Sequence, residues 1–143
     1  MIKILDCTFR DGGYYNKWDF NSSLVQKYLY ALDSANIDVI ELGFRNFPHD
    51  QFLGAFAYTT DNYIDTLNID KSITVGVMID AGSILNSELS IDDAVNSLFQ
   101  AKEKSRVDLV RIATHFECIE QCKEIAEALK KLGYMVGLNL MQP

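Results

Sequence analysis

Five short apolar runs rich in β-branched residues punctuate this 143-residue chain. They are IKIL from Ile2, VIELGF from Val39, TVGVMI from Thr74, LVRIA from Leu109 and MVGLNLM from Met135. A strand with one wet face alternates apolar and polar residues. A near-continuous apolar run is what a strand covered on both faces requires, as in a parallel sheet. The stretches between the runs are long enough for the helical crossovers that join parallel strands.

Those stretches carry helical patterns. Leu24, Val25, Tyr28, Leu29 and Leu32 recur at helical spacing, with Ser23 and Gln26 placed to form a capping box. Ser90 is placed to cap a later helix with Asp93 as its partner, and Ile91, Ala94, Val95 and Leu98 form that helix's apolar stripe. A third stripe combines Ile119, Cys122, Ile125, Ala126 and Leu129, and ends in two lysines and Gly133, a favourable C-terminus for dipole and left-handed cap. The region from Asn46 to Asp70 is less regular, with TTDNYIDTL readable as a short helix.

Two architectures fit a β-α-β-(α)-β-α-β-α-β order: an open doubly wound sheet and a TIM barrel. The turn after the first run reads RDGG rather than GxGxxG, which disfavours dinucleotide binding. A full barrel needs about 250 residues and eight strands. This chain stops just after its fifth run, so it reads as the first part of something larger, with both architectures open.

The net charge of -7 opposes binding to nucleic acid or an anionic membrane. No signal-peptide pattern opens the chain and no run of about 18 apolar residues occurs, so a soluble cytoplasmic protein is expected. The three cysteines, Cys7, Cys118 and Cys122, form no CxxC pair and suit reduced thiols. Cys118 and Cys122, four apart, are expected to share a helix face as small hydrophobes.

Polar residues gather at the C-terminal ends of the strands, where α/β folds bind ligands. Arg10 and Asp11 follow the first, Glu41 and Arg45 end the second, and Asp80 follows the third. Arg111, Thr114 and His115 belong to the fourth, Asn139 and Gln142 to the fifth. One such residue is usually a cap or an ion pair. Five strand ends repeating the pattern indicate a site, and Glu41 and Arg111 inside a barrel would each need a partner.

LDCTFRDGG resembles the D-x-T-L-R-D-G signature of the metal-dependent TIM-barrel lyases and synthases. That superfamily includes 4-hydroxy-2-oxovalerate aldolase, 3-hydroxy-3-methylglutaryl-CoA lyase and isopropylmalate synthase. VRIATH, followed by an acidic helix and a glycine-containing fifth strand, is most similar to the aldolase branch. The resemblance implies Asp11 as ligand to a divalent metal, Mn²⁺ or Mg²⁺, and Arg10 as the group steadying an enolate oxygen. It implies Glu41 as the residue orienting that arginine.

The aldolase branch has a histidine three residues after the metal aspartate, where this chain has Tyr14. Tyr14 is the expected catalytic substitute there, with Tyr15, His49 and His115 as alternatives. A phenol is a poorer base than imidazole at neutral pH. Arg45, Arg111 and His115 are candidate substrate-binding residues. Arg45 reads equally well as a surface ion pair. The family's remaining ligands, an H-x-H pair, find no match here, so this chain alone is expected to be inactive.

The resemblance implies the N-terminal part of a TIM (β/α)8 barrel, about five β/α units over residues 1–143, with the remaining strands absent from this chain. The implied reaction is metal-dependent cleavage of a 4-hydroxy-2-oxo acid to pyruvate and an aldehyde. The alternatives are a Claisen-type acyl-CoA synthase or lyase, and a catalytically silent barrel used for binding. The expected partners are a small-molecule 2-oxo acid and further copies of the chain, because five strands leave two edges open.

Overall fold

The computed structural model describes residues 2–141; Gln142 lies outside the described residues. Five strands, β1 (Leu5–Asp6), β2 (Val39–Phe44), β3 (Thr74–Asp80), β4 (Leu109–His115) and β5 (Met135–Met141), form one sheet. Their order is β1-β2-β3-β4-β5 and every neighbouring pair is parallel. A doubly wound order of 3-2-1-4-5 is excluded. The sheet curls into a half-barrel.

Six helices accompany the sheet: α1 (Thr8–Asn16), α2 (Ser22–Ser34), α3 (Asp61–Ile64), α4 (Ala81–Leu85), α5 (Ile91–Leu98) and α6 (Cys122–Lys131). Alternate strand residues build the core on the helix side. Ile40 and Leu42 of β2, Val75, Val77 and Ile79 of β3, and Val110 and Ile112 of β4 share one cluster with Val25 and Leu29 of α2, Val95 of α5 and Ile125 of α6. Burying each such side chain stabilises the fold by roughly 1.5–3 kcal/mol. The residues between them face the concave side, where Phe44, Met78 and Ala113 form a separate small cluster.

A bulge in β2 decides which of its last side chains reach the concave face. Glu41 pairs with Gly76 and Phe44 with Met78, so β2 carries one extra residue in that interval. Glu41 and Phe44 consequently share the concave side, and Arg45 is sent to the helix side.

Several expected features are present. Ser90 caps α5, its hydroxyl accepting from the Asp93 amide at 3.1 Å and donating to the Asp93 carboxylate at 2.7 Å. Gly133 follows α6 with φ +95°, and α3 lies within TTDNYIDTL. Cys122 is buried at the start of α6, its thiol donating to the Cys118 carbonyl, but Cys118 lies half-buried in a 3-10 turn before that helix, so the two do not share the expected helix face.

Others differ. The first run yields a strand of only two residues, with Ile2 and Ile4 exposed, because β1 is an edge with a partner on one side. Asn21, rather than a Ser23–Gln26 box, caps α2 by accepting from the Ser23 and Leu24 amides, and Leu24 is exposed rather than part of the buried stripe. RDGG is the middle of a helix, not a turn. No helix among the described residues is long and apolar enough to cross a membrane.

Candidate functional site

Helix α1 begins two residues after β1 and sorts its side chains by helical spacing. Phe9 and Gly13 are buried, Arg10 and Tyr14 share a second face, and Asp11 and Tyr15 a third. The helix ends by turning back: Lys17 and Trp18 both have φ 58°, and the Trp18 amide donates to the Gly13 carbonyl at 3.0 Å. This return lays the Trp18 indole against Gly13, where an added Cβ would lie 1.9 Å from the ring. Gly13 is therefore required by that close approach. The indole N–H then donates to the Arg10 carbonyl at 2.9 Å.

Glu41 is fully buried and joins two arginines. Its Oε1 accepts from Arg10 Nε at 2.5 Å and its Oε2 from Arg111 Nη1 at 3.0 Å. Arg10 Nη1 also meets Asp11 Oδ1 at 2.8 Å, and Arg111 Nη2 donates to Asn139 Oδ1 at 2.6 Å. One chain of charge thus runs from Asp11 through Arg10, Glu41 and Arg111 to Asn139, crossing from α1 to β5. On β3 the residue opposite Glu41 is Gly76, which places no side chain between the two.

Burial works against charge on Arg10, but Glu41 and then Asp11 more than offset it, so its pKa is raised above the ordinary guanidinium value. The Cys7 thiol, which donates to Asp11 Oδ2 at 3.2 Å, has a raised pKa through burial and the neighbouring carboxylate. In the sequence Cys7 reads only as a reduced thiol; its place four residues before Asp11, at the N-cap of α1, was the available signal for this contact. Asp11 is 57% exposed, so its carboxylate faces solvent beside a permanently charged fork.

The structure brings Arg10, Asp11, Glu41 and Arg111 together with Asn139, and places Tyr14 next to them. His115 is exposed at the end of β4, outside the hydrogen-bonded chain, and Tyr15 is exposed on α1. His49 lies in the exposed loop after β2, its ring 6.4 Å from Tyr58. Asp80 caps α4 by accepting from the Ser83 amide at 2.8 Å, and Thr114 is buried with its hydroxyl donating to the His115 carbonyl.

Arg45 is not brought into this group. At 4% exposure it is a buried ion pair rather than a surface one. Its guanidinium donates to the Thr59 and Leu98 carbonyls and to both oxygens of Asp61, and lies over the Phe99 ring at 5.1 Å. An open groove of about 560 Å³ runs beside it, lined by Asn46, Asn62, Asn96 and Gln100 among others.

No group of three or more His, Cys, Asp or Glu side chains converges as a metal site among the described residues. Asp11 is a hard oxygen donor suited to a divalent ion, and further donors would have to come from water, substrate or residues beyond this set.

No family model matches the chain, and no curated protein matches it. A solved structure does. It is the crystal structure of the "N-terminal domain of a putative aldolase" from Bacteroides vulgatus, 36% identical, with a TM-score of 0.85. The likeness covers 98% of this chain and 44% of that one. This chain therefore spans less than half the length of the protein it resembles, and the half-barrel corresponds to an N-terminal part.

Proposed function

We propose that this chain is the N-terminal part of a metal-dependent carbon–carbon lyase that cleaves a 4-hydroxy-2-oxo acid to pyruvate and an aldehyde. The observation that carries the reading is the Arg10 guanidinium, fixed by buried Glu41 and presented beside the exposed Asp11 carboxylate. The likeness to the Bacteroides vulgatus domain supports an aldolase-type role.

In this reading Glu41 removes conformational freedom from Arg10 before substrate arrives. A preorganised guanidinium stabilises charge that develops in the transition state without reorganising at that moment. As the bond between carbons 3 and 4 breaks, its electron pair moves into the pyruvate half and the 2-oxo oxygen gains negative charge, which Arg10 meets. The proton of the 4-hydroxyl goes to a base at the mouth, for which we propose His115 in place of Tyr14, the substitute the sequence suggests, because a phenol is the poorer base at neutral pH; the aldehyde carbonyl then forms. Protonation of carbon 3 then completes pyruvate. Arg111, tied to Glu41 and Asn139, lies along the same mouth and would attract the substrate carboxylate. Asp11 would hold a divalent ion, Mn²⁺ or Mg²⁺, which supplies Lewis-acid polarisation of the 2-oxo group.

The test is pyruvate release from 4-hydroxy-2-oxopentanoate by the full-length protein, after chelation and again with Mn²⁺ restored. Metal-restored turnover supports the reading. No pyruvate under either condition removes it.

A further inference from the structure

Tyr14 stands on the same face of α1 as Arg10, one turn further on, and is 64% exposed. Its ring meets Trp18 edge-on at 4.8 Å and Phe44 at 6.2 Å, and Trp18 meets Phe44 at 5.7 Å. Phe44 in turn belongs to the concave-side cluster with Met78 and Ala113, against which Trp18 and Met141 pack. The Arg10 guanidinium lies 5.9 Å from the Phe44 centroid. An aromatic wall is thus built directly against the charged group, and the bulge in β2 is what puts Phe44 there.

Ring packing explains Phe44 and Trp18 as supports. It leaves most of Tyr14 open to solvent beside the charged group, and its hydroxyl makes no hydrogen bond among the described residues. A small or fully polar substrate would leave this surface in water. An apolar, and above all aromatic, group would bury it and pair with the ring edge-on or offset.

Resting on the proposed aldolase reading, we propose that Tyr14, backed by Trp18 and Phe44, is a specificity-determining residue. Its ring receives an aryl or bulky apolar substituent on carbon 4 of the 4-hydroxy-2-oxo acid. Arg10 holds the oxygen on carbon 2, and the substituent on carbon 4 extends from there toward the wall, whose Phe44 ring lies 5.9 Å from the guanidinium. The ring of Tyr14, rather than its hydroxyl, then does the recognising.

The experiment compares 4-hydroxy-2-oxo-4-phenylbutanoate with 4-hydroxy-2-oxopentanoate in the full-length protein, metal present, for wild type, Tyr14→Phe and Tyr14→Ala. We expect Tyr14→Ala to lower kcat/KM for the phenyl substrate about tenfold and for the methyl substrate less than threefold. Tyr14→Phe should keep both. Equal losses on both substrates, or loss in Tyr14→Phe, would overturn the proposal. Exposure of Tyr14 means neither variant should unfold, which circular dichroism checks.

A second readout does not need turnover. Trp18 is the only tryptophan in this chain, so its emission in a titration with 2-oxo-4-phenylbutanoate or 2-oxopentanoate, neither of which has a 4-hydroxyl to cleave, reports arrival at the wall. The phenyl acid should bind about tenfold more tightly than the methyl acid, and Tyr14→Ala should abolish the difference. If that discrimination survives in a protein that releases no pyruvate, the aldolase reading fails and the subsite stands. Equal binding of the two acids overturns the subsite itself.

Discussion

Glu41 and Arg111 meet at 3.0 Å although a whole strand, β3, lies between the strands that carry them. The buried carboxylate is shared, with Arg10 on its other oxygen, so two guanidiniums depend on one acid for their partner. Removing one member of a buried ion pair leaves an uncompensated charge and costs about 3–5 kcal/mol. Glu41→Gln should therefore destabilise the protein by an amount in that range, measured by urea unfolding. A loss within the scatter of surface substitutions would mean that the arginines find other partners.

Gly76 is the position that lets this pair cross. An added Cβ would meet only ordinary contacts, the closest being the Ile40 carbonyl at 3.5 Å. Gly76→Ala should be tolerated, whereas Gly76→Leu should push a branched side chain into the path between Glu41 and Arg111. The expected difference between the two variants is roughly 1–3 kcal/mol, the usual cost of overpacking. Equal stability of the two would show that the crossing does not run over Gly76.

The Arg45–Asp61 pair sets an acid limit. Burial opposes charge on Asp61, but hydrogen bonds from Arg45 and Ser105 overcome it and lower its pKa below the ordinary value of 3.8. The folded-state pKa thus lies below the unfolded one. The resulting stability is present above the unfolded pKa and is lost as pH falls through the folded pKa. Unfolding midpoints should drop steeply below about pH 4 in the wild type. Asp61→Asn should be less stable at neutral pH and show a shallower drop. Identical pH profiles would contradict the assignment.

The strand ends were legible because a charge inside an apolar run is costly unless it is partnered; Glu41 and Arg111 announced themselves in that way. Arg45 sent the same signal, yet the bulge between Glu41 and Phe44 rotates it to the helix layer; Gly43, inside that interval, is the one local mark of the extra residue. The parallel order followed from continuous apolar runs. Helix α1 did not, because RDGG reads locally as a turn; its helicity comes from the packing of Phe9 and from Trp18 lying over Gly13. The aromatic wall was hidden for a related reason: Tyr14, Trp18 and Phe44 meet only once the chain reverses at Lys17 and Trp18.

The two sheet edges should drive association. Ile2 and Ile4 beside β1, and Met135, Leu138 and Leu140 on β5, are exposed apolar side chains on strands with an unpaired edge. Such edges template pairing. For the 143-residue chain, light scattering should give a mass above that of a monomer, rising with concentration. A monomer throughout a wide concentration range would count against this.

Arg10→Lys in the full-length protein tests the central claim most directly. A lysine keeps the positive charge but cannot donate to Glu41 and a developing enolate oxygen through one rigid fork. With Mn²⁺ binding followed by titration and pyruvate release followed in parallel, metal affinity should stay within about twofold of wild type. The value of kcat should fall about a hundredfold or more, as for loss of a preorganised oxyanion donor. Wild-type turnover in Arg10→Lys, with metal in excess, would contradict the account and leave the Arg10–Glu41 pair a structural ion pair.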